Sequence, residues 1–381
     1  MSTIIGHSKA DILVVNEMGG GSSLKAFRLL RNALNDNGRT QYQLANSTGV
    51  SGQSLVNMLY FDSTKLILES QTTIQKDVNN NNLVRLIDLY TLIVKDSNLA
   101  FHKDTTRIHV FAAHLKAGSS NSDRNERNDA TEAVMAYLDS NQAKGNYILA
   151  GDLNLSASSE PAYQNMINYK DTALRFFDPV SAPGTWSNDS RFASLHTQST
   201  HTSGNCHIGG GMDDRFDFIL ASGEIINNTE NLRYIPSTYK TLGQDGRRFN
   251  RSLTSPANTS APSNVIQALF DMSDHLPVLI DVEVNFPLIT STPTVSLKKD
   301  NFDLISFENP NRGNLEVKIE DQELKLKKIE IYDMSSNRIL ERQTANESLI
   351  AIDISNLPNG MYFIKFFSVN GRQQIKKLIK I

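Results

Sequence analysis

The chain has 381 residues, 39% hydrophobic and 21% charged, with a formal net charge of −3 and one cysteine, Cys206. That composition supports a sizeable core, in two domains or in one large domain plus a small one. It excludes an intrachain disulfide, a polybasic nucleic-acid coat and, for want of ~18 consecutive apolar residues, a membrane-spanning helix.

In chain order, the opening MSTIIGHSKADILVV lacks the charged, apolar and small-residue succession of a secretory signal. Residues 11–15 (DILVV) read as an apolar strand. Residues 22–35 read as a helix, with Phe27, Leu30 and Leu34 at helical spacing. Strands are expected at 56–61, 85–94, 107–113 and 147–151. Between the last two, residues 123–140 put Ala130, Val134, Tyr137 and Leu138 on one helical face. Ser159 and Pro161 open a helix running to about Tyr169. Strands at 215–220 and 277–284 end this α/β region. Residues 225–268, rich in Asn, Ser, Thr and Pro, read as a long surface excursion with some helix. Residues 286–304 form a linker that begins with a Pro/Thr/Ser stretch. Beyond it, strands at 315–319, 327–333, 348–354, 360–367 and 375–381 predict a small β-sandwich, with NLPNG (356–360) as a turn.

Charge divides unevenly. Residues 1–285 carry 24 Lys and Arg against 29 Asp and Glu, and residues 286–381 carry 14 against 12. An anionic substrate therefore has to be held by a local constellation or a metal, not by bulk charge.

Several strands of the first region end in polar residues suited to one task. Glu17 ends the first. His114, with Lys116 behind it, ends RIHVFAAHLK. Asp152 and Asn154 end ILAGDLN, Asp217 lies in RFDFIL, and Asp274 and His275 precede LPVLIDV. Carboxylates at the ends of buried strands are costly to desolvate without a partner. Glu17, Asp152, Asn154 and Asp274 are oxygen donors suited to a hard cation such as Mg²⁺. An imidazole can take a proton from water while a carboxylate on its other nitrogen fixes the tautomer; His275 with Asp217 suits that, and His114 suits donation to phosphate or to a leaving group. These residue types fit hydrolysis of a phosphate ester.

The set resembles the endonuclease/exonuclease/phosphatase superfamily, which includes DNase I, abasic-site endonucleases, neutral sphingomyelinases and inositol-polyphosphate phosphatases. ILVVNE, AHLKAG, AGDLN, RFDFIL and SDHLPV match its motifs in the family's order over residues 11–284. The resemblance implies a four-layer α/β/β/α sandwich and a divalent metal, Mg²⁺ or else Mn²⁺ or Ca²⁺. It implies Glu17 and Asp274 as metal ligands, Asp152 as a ligand or orienter of the attacking water, and Asn154 as a phosphate or water contact that also belongs to the metal's oxygen donors. His275 would be the base, oriented by Asp217, and His114 the acid or phosphate donor. The family's first strand, ending in an Asn, has no counterpart here. The expectation is an N-terminally incomplete domain with an unfilled sheet position and an exposed apolar groove. Asn16 is not expected to replace that Asn, because alternation along a strand turns it away from Glu17.

A second resemblance covers residues 305–381. FENPNRGNLEVKI, KIEIYDMSSNRIL, IDISNLPNGMYFIKF and KKLIKI look like the C-terminal sorting domain of the type IX secretion system of Bacteroidota. It implies an extracellular or cell-surface protein that engages the secretion machinery.

Weaker signals are read as structural. His196, His201, Cys206 and His207 crowd one segment, but their spacing fits no zinc pattern and the segment reads as a flexible loop. Asn57 and Arg85 match phosphate-contacting positions of the family only loosely. GRRFNR (246–251) reads as a solvated face, and GGGSS (19–23) as a connector. Arg215 is the alternative, structural partner for Asp217. The leading expectation is a monomeric secreted endonuclease acting on DNA. A phospholipid or inositol-phosphate esterase, and an inactive truncated surface protein, are the alternatives.

Overall fold

The computed structural model describes residues 1–19, 22–46, 55–96, 105–204, 207–286 and 305–381 less 322, 336, 346 and 370. Cys206, most of the 286–304 linker and part of the GGGSS connector lie outside the described residues. The chain divides into two compact units, Met1–Leu288 and Ile289–Ile381.

The first unit is built on two sheets. The three-stranded one joins β1 (Ile12–Gly19), β2 (Tyr42–Leu44) and β3 (Leu55–Asp62) in the antiparallel order β1-β3-β2. The six-stranded one joins β4 (Leu66–Lys76), β5 (Asn82–Val94), β6 (Arg107–His114), β7 (Tyr147–Asp152), β8 (Phe176–Phe177) and β9 (Asp217–Ser222). Its order is β4-β5-β6-β7-β9-β8, with β6 and β7 parallel and the other neighbours antiparallel. Parallel neighbours need a crossover, and α3 (Asn121–Ser140) supplies it. It starts where it does because Ser120 and Asp123 form a reciprocal capping box.

The two sheets pack face to face over Leu59, Phe61, Tyr90, Leu92, Val110 and Ile148. The outer face of the large sheet is covered by α3 and α4 (Pro161–Ile167), which bury Val134, Leu138, Ala162 and Met166. The outer face of the small sheet is covered by α1 (Ser2–Ser8) and α2 (Ser22–Leu29). The result is the four-layer α/β/β/α sandwich. Strand β4, half-exposed and mixed in pattern, shows no clean alternation, so residue pattern alone does not predict it.

Residues 225–268 depart from expectation. They hold the end of α5 (Gly223–Asn227), β10 (Leu232–Tyr234), β11 (Lys240–Thr241) and the start of α6 (Ser263–Met272). Leu242, Leu253, Val265, Ile266 and Leu269 form a buried cluster with Ile4 of α1. Val265, Ile266 and Leu269 share one face of α6, while Leu242 and Leu253 come from aperiodic chain, and all converge in space. The predicted strand at 277–284 is broken into β12 (Val278–Leu279) and β13 (Val282–Val284), which pair with β11 and β10 respectively.

The second unit is all-β. One antiparallel sheet joins β14 (Ile305–Ser306), β15 (Asn314–Ile319) and β18 (Leu349–Asp353). The other has the order β17-β16-β19-β20, from β16 (Leu326–Tyr332), β17 (Arg338–Gln343), β19 (Gly360–Ser368) and β20 (Gln373–Lys380). Strict alternation on β15 buries Leu315, Val317 and Ile319 against Ile329, Ile331, Ile364 and Phe366 of the second sheet.

Candidate functional site

Register assembles the site. Across three neighbouring strands, His114 at the end of β6 pairs with Asp152 at the end of β7, and Asp152 pairs with Asp217 at the start of β9. Three polar groups thus form one row at the sheet's edge, each held by main-chain hydrogen bonds. Gly151 makes the close spacing possible. Its φ is +137°, and a Cβ there would lie 2.0 Å from the Ala113 carbonyl oxygen and 2.8 Å from Asn16 Oδ1.

From the facing sheet, β1 delivers Asn16 and Glu17 together. Alternation would turn one of them away, but the β1–β3 register slips between Val15 and Met18, and Glu17 takes φ +58°. Asn16 Oδ1 accepts from the Asp152 main-chain N–H at 3.1 Å, while its Nδ2 donates to Asn57 Oδ1 at 2.7 Å and to Ala113 O. The expectation that Asn16 faces away from the site is therefore wrong, and a bulge is the reason. Glu17 Oε1 lies 3.6 Å and Asp152 Oδ2 3.5 Å from His114 Nε2.

His275 Nδ1 sits 2.7 Å from Asp217 Oδ2. Arg215, the alternative partner for Asp217, instead pairs with Asp178 at 2.9 Å, wholly buried beneath Phe218 and Tyr239. Asp274 Oδ2 accepts from Gln198 Nε2 at 3.3 Å and from the Ile208 N–H at 3.1 Å. Asn154, at φ +50°, donates its main-chain N–H to Asp152 Oδ1 and its side-chain amide to Leu115 O, so it ties the ends of β6 and β7 together.

Arg85 donates to Leu115 O at 2.7 Å and faces the Asp152 and Glu17 carboxylates. Asn57 is buried among Leu86 O, Ala112 O and Asp88. Lys116 leaves the site and pairs with Asp123.

Electrostatics follow from burial and crowding. Burial, then the neighbouring Asp217 charge, raises Asp152 to about 7. Burial opposes a charge on His275, but Asp217, Asp152 and Asp274 outweigh it and raise it to about 10. Burial first, then Arg85 and His275, lowers His114 to about 3, so its imidazole is neutral. The site is short of positive charge on its carboxylate side.

A cleft of roughly 200 Å³ opens beside β1, where among the described residues no strand pairs with its second edge. Ile4, Ile5, Leu13, Val15, Leu276 and Leu279 line it, and Glu17, Asp152, Asp217 and His275 line it as well.

Two features escaped sequence reasoning. Arg127 of α3 pairs with Glu160 at 2.6 Å, both buried, and also donates to the carbonyls of Lys116 and Gly118. Glu160 in turn accepts from the main-chain N–H and hydroxyl of Ser156. The pair thus locks the loop after His114 to the loop after Asp152. The second feature is the segment around His196, read above as a flexible loop. His196, Thr197, Ser199 and Thr200 are buried there.

Residues 307–381 match the family model of the secretion system C-terminal sorting domain.

No curated protein matches the chain significantly. Among solved structures, the chain is similar to an endonuclease/exonuclease/phosphatase from Bacteroides vulgatus (13% identity, 74% of this chain, 88% of that one, TM-score 0.47). It is also similar to the human Nocturnin catalytic domain (17%, 74% and 83%, TM-score 0.44). A third is D. rerio TDP2 complexed with single-strand DNA product (11%, 74% and 89%, TM-score 0.45). In the sorting domain itself, the buried Glu330 carboxylate is clasped by Lys328, Tyr332 and Arg338 on one sheet, which holds it down to about 2 even though burial opposes its charge.

Proposed function

We propose that the first unit is a divalent-metal-dependent phosphoester hydrolase. Its proposed substrate is a phosphodiester of DNA, and the sorting domain directs export through the type IX machinery to the cell surface or beyond. The observation that carries the reading is the His275–Asp217 pair, set in register with Asp152 and His114 and facing Glu17.

The donor set fits a hard cation such as Mg²⁺ in kind. Glu17 and Asp152 offer carboxylate oxygens on one side of His114. The raised Asp152 marks a buried carboxylate that a cation would stabilise in its charged form. Among the described residues no three His, Cys, Asp or Glu side chains yet stand close enough to hold a metal. Glu17 and Asp152 are therefore the proposed core of the site, with Asp274 and Asn154 contributing from its border. When bound, the cation supplies Lewis-acid stabilisation of the phosphoryl oxygens.

The chain's own residues do the proton work. Asp217 accepts the Nδ1 hydrogen of His275. The surrounding carboxylates keep the metal-free ring protonated, and a cation held on Asp152 and Asp274 would offset them and free Nε2 as the acceptor. Nε2 takes a proton from water, the water oxygen attacks phosphorus in line, and the bond to the leaving oxygen breaks. His114, neutral through burial, donates a hydrogen bond to a phosphate oxygen. Arg85 adds positive potential beside the row.

The test is hydrolysis of bis(p-nitrophenyl) phosphate and of duplex DNA, with Mg²⁺ and with chelator. Turnover that vanishes with chelator and in H275A supports the reading; metal-independent turnover, or H275A at the wild-type rate, overturns it. Sphingomyelin and inositol phosphates in the same panel test the choice of DNA.

A further inference from the structure

We infer that Gln198 is a positioning residue of this site, bridging the working nitrogen of His275 and the carboxylate of Asp274. The inference rests on the hydrolase reading for its consequence, though not for its geometry.

Gln198 Nε2 lies 2.7 Å from His275 Nε2 and 3.3 Å from Asp274 Oδ2. A carboxamide nitrogen carries two hydrogens, and here each has its own acceptor. With Nδ1 against Asp217, the Gln198 amide facing Nε2 suits the ring in its neutral form, the form His275 would take once a cation on Asp152 and Asp274 offsets the carboxylates that raise it. The imidazole is held at both nitrogens, so its plane is fixed.

The main chain around Gln198 explains how a side chain from a polar, aperiodic stretch can do this. Thr197 and Gln198 N–H groups donate to Asp214 O, and Asp213 and Asp214 N–H groups donate back to Gln198 O. Thr197 Oγ1 accepts from the N–H groups of Phe216 and Asp217. On the other side, Leu276 N–H donates to Thr197 O and Thr200 N–H to Asp274 O. Residues 197–200 are thus a strap sewn between the segment that carries Asp217 and the segment that carries Asp274 and His275. Gln198 stands at its centre.

Its role in hydrolysis follows from the position. At 2.7 Å no water fits between the ring and the carboxamide, so water that reaches His275 Nε2 takes the place of the direct Gln198 contact. It gives one hydrogen to Nε2 and accepts the Gln198 N–H on its oxygen. Gln198 thereby sets where the water oxygen stands, and Asp274 keeps the carboxamide from turning away.

The experiment compares wild type, Q198A, H275A and Q198A/H275A with bis(p-nitrophenyl) phosphate and Mg²⁺, after melting curves confirm folding. Isosteric Q198E serves as a second variant. Q198A and Q198E are expected to lower kcat by about tenfold or more with KM within about twofold, and the double variant to be no slower than H275A alone. A wild-type kcat in Q198A, or a loss that persists in full on top of H275A, overturns the role of Gln198. An inactive wild type, or an H275A as fast as wild type, overturns the hydrolase reading instead. The contact itself is then decided by ¹⁵N-histidine NMR. The His275 Nε2 resonance is expected to move in Q198A while its Nδ1 remains protonated, and an unchanged His275 spectrum refutes the bridge.

Discussion

The Nδ1 atom of His275 lies 2.7 Å from the Asp217 carboxylate, joining residues 58 positions apart. Asp217 is itself fixed by its place opposite Asp152 in the β7–β9 ladder. Changing Asp217 to Asn keeps the volume but removes the charge that selects the tautomer. D217N is expected to lower kcat by roughly 10²- to 10⁴-fold, the usual worth of positioned acid–base catalysis. Steady-state kinetics on a chromogenic phosphodiester checks this, and a loss below threefold counts against the dyad.

Cation binding can be read without any turnover. With Asp152 raised to about 7, binding of Mg²⁺ near neutral pH should release part of a proton, because the ligand must be ionised. Isothermal titration in buffers of different ionisation enthalpy should show heats that differ accordingly. E17Q and D152N should each weaken binding by about tenfold or more, and equal affinities in all three proteins would remove Glu17 and Asp152 from the site.

Metal-free stability should carry the same groups' signature. An unfolded Asp titrates near ~3.9 and an unfolded His near ~6.5. Asp152, raised by burial and by Asp217, keeps its proton in the folded chain over a pH range where the unfolded chain has lost it. Its contribution is therefore full below the unfolded value and is lost as the pH rises through about 7. For His275, whose facing carboxylates outweigh burial, the loss runs from the unfolded value up through about 10. Urea midpoints measured with chelator should show D152N flattening the lower slope and H275Q the upper one, each relative to wild type. Slopes of the opposite sign would contradict the crowding of carboxylates around His275.

The Arg127–Glu160 pair is wholly desolvated, and removing one member strands a buried charge. R127A is expected to cost about 3–5 kcal/mol, read as a lowered denaturant midpoint. An apolar double replacement, R127M/E160L, should recover most of that stability. It should still fail to restore activity, because the carbonyls of Lys116 and Gly118 and the N–H of Ser156 lose the groups that hold their loops. Full activity in the double variant would show that the loops need no such lock.

G151A tests the spacing of the row directly. The added methyl meets the Ala113 carbonyl from a backbone held at positive φ. A loss on the order of 3 kcal/mol or more, from strain and overpacking together, is expected in chemical denaturation; a neutral effect would mean that β6 and β7 can part without harm.

Much of this molecule is written locally. Apolar runs at 11–15, 56–61, 107–113 and 147–151, and the helical face from Ala130 to Leu138, declare themselves through period alone. In the second unit strict alternation does the same for most strands. Glu17, His114, Asp152, Asp217, Asp274 and His275 are legible in the sequence as candidates, from polar groups at strand ends and from the motifs that resemble a known family. What period cannot report is which side chains meet. The bulge that turns Asn16 toward Asp152, the strap that brings Gln198 to His275, and the lock between Arg127 and Glu160 all join residues tens of positions apart. So does the cluster that joins Ile4, Leu242 and Leu253 to the buried face of α6. Each depends on register and on close packing, which arise only when the sheets have paired and the helices have closed over them.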